Sequence, residues 1–206
     1  MLKLTDFLET ELEYKDQILH LDLSFDNILR LFELFQDAID NALKIDIACE
    51  MLIHEYKLIE EADIYEKNEL LLFILREYLY IDLTAEQSDE EGEEKKVQSF
   101  DFTKDAGIIY ASFMSVYGID LFEMQGKLHF LKFMELLKHI DDTSKLKEVI
   151  NIRTTPLPSP NKHNQAERER LMKLKEVYSL DDELTEEQQQ EKLNKQFSAL
   201  SSFFKK

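Results

Sequence analysis

Residues 100–153 read FDFTKDAGIIYASFMSVYGIDLFEMQGKLHFLKFMELLKHIDDTSKLKEVINIR, and this stretch decides the fold. It has the densest aromatic and aliphatic content in the chain and holds three of the four glycines. Asp101 is an N-cap candidate. Behind it Phe102, Ala106, Ile109, Phe113 and Val116 recur at helical spacing. Gly118, within Tyr117-Gly118-Ile119-Asp120, ends that helix, because a left-handed C-terminal residue is least strained without a Cβ. Gly126 marks a second break. Residues 127–140 form the most apolar helix, with polar positions reduced to a stripe at Lys132, Glu135 and His139. So narrow a wet face predicts packing on two or more sides. Thr143 or Asp142 caps a short helix with Leu146, Val149 and Ile150 inward.

The segments on either side extend this into a mainly α protein. The expected architecture is a compact multi-helix domain with at most one short strand or hairpin near the N-terminus and a helical C-terminal tail. The first thirteen residues show no clean period. Residues 17–23, QILHLDL, put Leu19, Leu21 and Leu23 on one face and His20 and Asp22 on the other, a strand period. One short strand needs a partner, either the first residues of the chain or another subunit. Ser24 caps a helix carrying Phe25, Ile28, Leu29, Phe32 and Phe35 that ends near Asp37. Asp40 caps a second with Ile45, Ala48, Leu52 and Tyr56 inward, and a third near 66–80 carries Leu70, Leu71, Ile74, Leu75 and Tyr78.

Residues 84–98, TAEQSDEEGEEKKVQ, contain six acidic side chains and almost nothing apolar. Such a run cannot bury enough surface to offset its ordering entropy, so it reads as a flexible linker; nucleic-acid mimicry and loose metal binding are the lesser alternatives. Pro156, Pro158 and Pro160 then end regular structure. Two helices are expected beyond them, at 165–178 and 186–204. The second carries Leu193, Phe197, Leu200 and Phe204 on one stripe. That stripe must be buried, either in a partner's groove or coiled coil or back on its own domain. The expected division is 1–83 (strand and helices), 84–99 (acidic linker), 100–155 (helical core, packing with 14–81 as one domain) and 156–206 (Pro-rich connector and C-terminal helices).

A formal charge of −18 makes the chain self-repelling and disfavours nucleic acid, anionic membranes and acidic partners. The single cysteine, Cys49, rules out an intrachain disulfide and fits a reducing compartment. No secretory leader and no apolar run of membrane-spanning length is visible, so a cytoplasmic protein is expected. No catalytic, metal or cofactor site is expected either. His20, His54, His129, His139 and His163 lack ligand spacing. Gly126-Lys127-Leu128 fails as the end of a P-loop, since Leu121 stands where a glycine is needed and Leu128 where Ser or Thr is needed. Cys49 reads as a buried, inert thiol. Gly126 reads as a break at a helix start, and Arg153 as the partner of a buried acid.

Several short blocks run in a recognisable order: Asp101-Phe102-Thr103-Lys104-Asp105-Ala106, Ile109-Tyr110-Ala111-Ser112-Phe113, Tyr117-Gly118-Ile119-Asp120-Leu121, Gly126-Lys127-Leu128-His129-Phe130, then Ile150, Ile152 and Arg153. Together with Phe25-Asp26-Asn27-Ile28-Leu29-Arg30 and Lys44-Ile45-Asp46-Ile47-Ala48, they resemble the bacteriophage "gene product fifteen" family of siphophages infecting Gram-positive bacteria. The resemblance covers roughly residues 15–180. One departure is Phe130-Leu131, where the family is associated with a Trp-Trp pair. The resemblance implies a non-enzymatic tail assembly chaperone in the host cytoplasm, absent from the mature virion. It would bind the tape measure protein, and possibly the major tail protein or itself. The alternatives are a structural virion component of the tail or connector, and a helical host regulator, enzyme or interaction protein. On the chaperone reading, Leu193, Phe197, Leu200 and Phe204 are the client-binding candidates. Asp101, Phe102, Tyr117, Gly118, Gly126, Lys127, His129 and Arg153 are family-motif residues with structural roles.

Overall fold

A computed structural model of the chain describes residue 5 and residues 7–81, 99–161 and 163–180. It is mainly helical, with seven α-helices and one two-stranded hairpin among the described residues. The hairpin pairs β1 (Glu11–Tyr14) antiparallel with β2 (Gln17–His20). The strand expected at 17–23 therefore finds its partner in the first residues of the chain. Lys15 and Asp16 form the two-residue turn, both with positive φ (48° and 61°). Neither is glycine, which is why no turn was visible in the sequence.

Helices α1 (Phe25–Gln36), α2 (Asn41–Leu52) and α3 (Ile64–Leu79) follow, with a single 3-10 turn at Tyr56–Leu58. Asp40 caps α2 by accepting from the N–H groups of Ala42 and Leu43, and Asp63 caps α3 through Glu66. Ser24 stands at the N-cap of α1, but its hydroxyl donates to Asp22 instead of capping. The expected α1 stripe is rotated: Ile28, Leu31 and Leu34 are buried with Phe25, while Leu29, Phe32 and Phe35 are half-buried. The reason is Asn27, a polar residue on the inner face. Its Nδ2 donates to the carbonyls of Asp22 (3.0 Å) and Met51 (2.8 Å), so this face turns inward. Tyr56 lies beyond the end of α2, in the 3-10 turn.

The remaining helices are α4 (Ala106–Tyr117), α5 (Phe130–Lys138), α6 (Lys145–Thr154) and α7 (Gln165–Val177). Three starts differ from expectation. Asp101 organises a turn, its Oδ1 accepting from the N–H groups of Thr103 and Lys104, and α4 begins a turn later, which leaves Ala106 exposed. The cap of α6 is Ser144, which accepts from Lys147; Thr143 and Asp142 precede it. Helix α5 starts at Phe130, because residues 121–127 are in turns and His129 bridges Ser24. Gly118 ends α4 at φ 65°, and no regular structure follows α6 through Pro156, Pro158 and Pro160.

The described residues group into two compact units. The first draws on 5–81 and 124–135. Its core is built from Leu19, Leu21, Leu23, Ile28, Leu52, Leu71, Ile74 and Phe133, all 3% exposed or less. The second draws on 99–123 and 136–180, with Phe113, Leu146 and Val149 fully buried. The stretch that decides the class thus contributes to both. The acidic linker at 84–98 and the C-terminal helix at 186–204 lie outside the described residues.

Candidate functional site

In the first unit, residues 124–131 lie antiparallel along residues 23–26. Phe130 donates its N–H to Leu23 O (2.8 Å), Phe25 donates to Leu128 O (2.9 Å), and Gly126 donates to Asp26 Oδ1 (2.8 Å). Gly126 adopts φ 67°, a left-handed conformation that aims its N–H at that carboxylate. Asp26 also pairs with Arg30 at 3.1 Å. The ring of Phe25 stacks on Phe133 at 4.8 Å, and Phe32 meets Phe130 edge-on at 5.7 Å. Aromatic residues at 130 and 133 therefore serve packing.

His129 sits at the turn before α5. Its carbonyl accepts from Phe133, and its Nδ1 accepts from the Leu131 N–H at 3.1 Å. An accepting Nδ1 leaves the proton on Nε2. Burial, and then Lys132, push the imidazole below its ordinary pKa, so it is neutral at pH 7. His129 and Leu131 line a groove of about 610 Å³ with Phe7, Leu8, Phe73, Tyr78 and Tyr80, and Thr5, Glu9 and Glu77 complete its lining. Phe7 is 91% exposed and Tyr80 61%. Lys127 is exposed at the turn.

The same unit contains a buried lysine that the sequence reading missed. Lys67 Nζ donates to Asp46 Oδ1 (2.5 Å), Glu60 O (2.8 Å) and Tyr56 Oη (3.0 Å), which uses all three of its protons. Hydrogen bonds from Lys67 and Tyr56 hold the Asp46 carboxyl below its usual range. The available signal was a lysine on the apolar stripe of α3, three and four residues before Leu70 and Leu71. Cys49 lies beside this cluster, fully buried, and burial pushes its thiol up to about 12.

In the second unit, Arg153 is the hub. It grips Asp105 bidentately (Nη1–Oδ2 2.6 Å, Nη2–Oδ1 2.8 Å) and donates to Ser99 O (3.2 Å) and Tyr178 O (2.6 Å). Both side chains of the pair are nearly inaccessible. Its own carbonyl accepts from Lys175. Arg153 is thus the partner of a buried acid, as its position suggested, and the acid is Asp105. Asp101 supports the pair by donating its N–H to Asp105 Oδ2. Phe102 meets Phe100 edge-on at 5.2 Å, and Tyr117 donates its hydroxyl to Leu136 O at 2.9 Å. These are cohesive contacts. No group of three His, Cys, Asp or Glu side chains among the described residues is placed to hold a metal ion.

The motif residues therefore divide between two places. Gly126, Lys127 and His129 gather at the start of α5, and Asp101, Phe102, Tyr117, Gly118 and Arg153 belong to the second unit. The client-binding candidates Leu193, Phe197, Leu200 and Phe204 lie outside the described residues. The family described as Bacteriophage Gp15 protein matches residues 4–180. The chain belongs to the Bacteriophage Gp15 protein family. That match reaches closer to the N-terminus than the expected residue 15, so it takes in the hairpin. It ends beside Tyr178, where Arg153 ties down the end of α7. No curated protein and no solved structure matches this Gp15 family member.

Proposed function

We propose that this bacteriophage protein is a non-enzymatic tail assembly chaperone that binds the tape measure protein in the host cytoplasm and leaves before the particle matures. The observation that carries the reading is a groove bordered by exposed aromatic side chains on a strongly acidic chain. Phe7, Phe73 and Tyr80 are exposed around it, on a molecule of formal charge −18. A long helical client exposes apolar faces, and such a groove takes one face while the charge keeps neighbouring complexes apart. Moderate affinity at each of many sites along the client makes the coating reversible. The apolar stripe Leu193, Phe197, Leu200 and Phe204 is a second client contact on this reading. Membership in a bacteriophage family supports the setting, and no described helix is long and apolar enough to cross a membrane.

Co-expression with the tape measure protein tests it. The tape measure should move to the soluble fraction with this chain and lose that solubility when Phe7, Phe73 and Tyr80 are changed to Ser. Equal insolubility with and without the chain removes the reading. Recovery of the protein in purified virions makes it a structural component instead.

A further inference from the structure

We infer that the outer edge of β1 is a docking site for an extended, basic segment of a partner protein. The hairpin register decides which backbone groups are free. Leu21 donates its N–H to Thr10 O at 2.7 Å, and the two-residue turn closes on Tyr14 and Gln17. The pairs 10–21, 12–19 and 14–17 are therefore the hydrogen-bonded ones, and Glu11 and Glu13 turn their N–H and C=O groups away from β2. Tyr78 takes the Glu11 carbonyl at 2.7 Å. No described residue receives the N–H of Glu11 or Glu13. On the outer side of β2, His20 is engaged at both groups, its N–H donating to Glu55 Oε2 and its carbonyl accepting from His54, which leaves Ile18 as the outward residue of that strand without such a bond among the described residues. The longer run of outward groups is thus on β1, and an extended peptide adds to such an edge as a new strand once it displaces the Tyr78 hydroxyl from Glu11 O.

Charge selects the occupant. A groove of about 780 Å³ over the solvent face of the hairpin is lined by Glu9, Glu11, Glu13 and Asp16, together with Ile18 of β2, which is 56% exposed. Glu11 and Glu13 project to the solvent face, opposite buried Leu12. A second copy adding here through the same edge would set its glutamates against these, which disfavours self-pairing. A strand with lysine or arginine at alternate positions places cations beside Glu9, Glu11 and Glu13, and its intervening apolar side chains on the Leu12 face. The inference does not rest on the chaperone reading, because it concerns an extended segment on a strand edge and not a helical client, although the two grooves share Leu8 and Glu9.

The test uses the full chain and an eight-residue synthetic peptide alternating Lys and Val, followed by fluorescence anisotropy at low salt. Binding should be saturable and absent for a Glu-Val peptide. Glu13→Pro removes an outward N–H while leaving the ladder donors of Leu12 and Tyr14, and should weaken binding at least tenfold. Glu13→Gln keeps the N–H and should weaken it less. Because the proline variant can disturb the hairpin, amide exchange on the unaltered protein gives a second measure. The peptide should slow exchange at Glu11 and Glu13. No binding, unchanged affinity in Glu13→Pro with unchanged exchange at these amides, or a homodimer dissolved by that substitution would each overturn the inference.

Discussion

The Asp105–Arg153 pair sets what a single residue does here. Arg153→Ala leaves a buried carboxylate without its cation, and removing one partner of such a pair costs about 3–5 kcal/mol. The double variant Asp105→Asn, Arg153→Met removes both charges together and should lose less, as read by urea denaturation. Burial pushes the Asp105 carboxyl up, but hydrogen bonds from Arg153 and the Asp101 N–H bring it below its usual value. A carboxyl held low in the folded state stabilises at pH values above its unfolded pKa of about 3.9, and that contribution disappears as pH falls through the lower, folded value. Stability should therefore drop more steeply below pH 4 in the unaltered protein than in Asp105→Asn. Cys49 makes a separate prediction. With its thiol pushed up to about 12, its thiolate fraction at pH 7.5 is roughly a thousandfold below that of an ordinary cysteine. A thiol reagent should label it only on unfolding, and rapid labelling of the native protein would contradict its burial.

At the scale of elements, three glycines in one stretch behave in two ways. Gly118 at φ 65° and Gly126 at φ 67° hold left-handed conformations, whereas Gly107 lies inside α4 with open space around an added Cβ. Replacement by Ala should cost about 1–2 kcal/mol at Gly118 or Gly126 through backbone strain alone. The same change at Gly107 should stabilise by about 0.5 kcal/mol or more, since Ala is the better helix former. Thermal melts of the three variants separate these signs. The α-helices were legible because their apolar residues recur at 3.6; the hairpin was half legible. Gln17–His20 alternates cleanly, but Glu11–Tyr14 sits behind a Lys-Asp turn that resembles no turn signal. Helix starts moved where tertiary bonds outrank local caps, as when Arg153 engages Asp105 and α4 begins behind it. Arg153 was expected to partner a buried acid; Asp105, one of several acids near a helix start, was not singled out. The groove around His129 was not legible at all. Phe7, Phe73 and His129 are far apart in sequence, and the docking of residues 124–131 on residues 23–26 brings residue 129 to this surface.

For the molecule as a whole, charge is the working quantity. If repulsion between coated clients keeps them dispersed, salt must undo it, because the screening length falls from about 10 Å at 0.1 M to about 3 Å at 1 M. Turbidity of the co-expressed complex should rise over that range, with the chain alone staying clear. A complex indifferent to 1 M salt would assign its solubility to coverage of apolar surface and not to the −18 charge.

The antiparallel docking of residues 124–131 on residues 23–26 also schedules the protein's birth. Three hydrogen bonds that span about a hundred residues of chain cannot form until the ribosome has passed residue 131. At roughly 5–20 residues per second, the 54 residues from 81 to 135 take about 3–11 s to make. Through that interval the hairpin and first three helices exist without Phe133 in their core, with Leu23 O and Phe25 N–H waiting. A fragment of residues 1–99 should accordingly melt without a sharp transition, and a peptide of residues 120–140 added in trans should restore one.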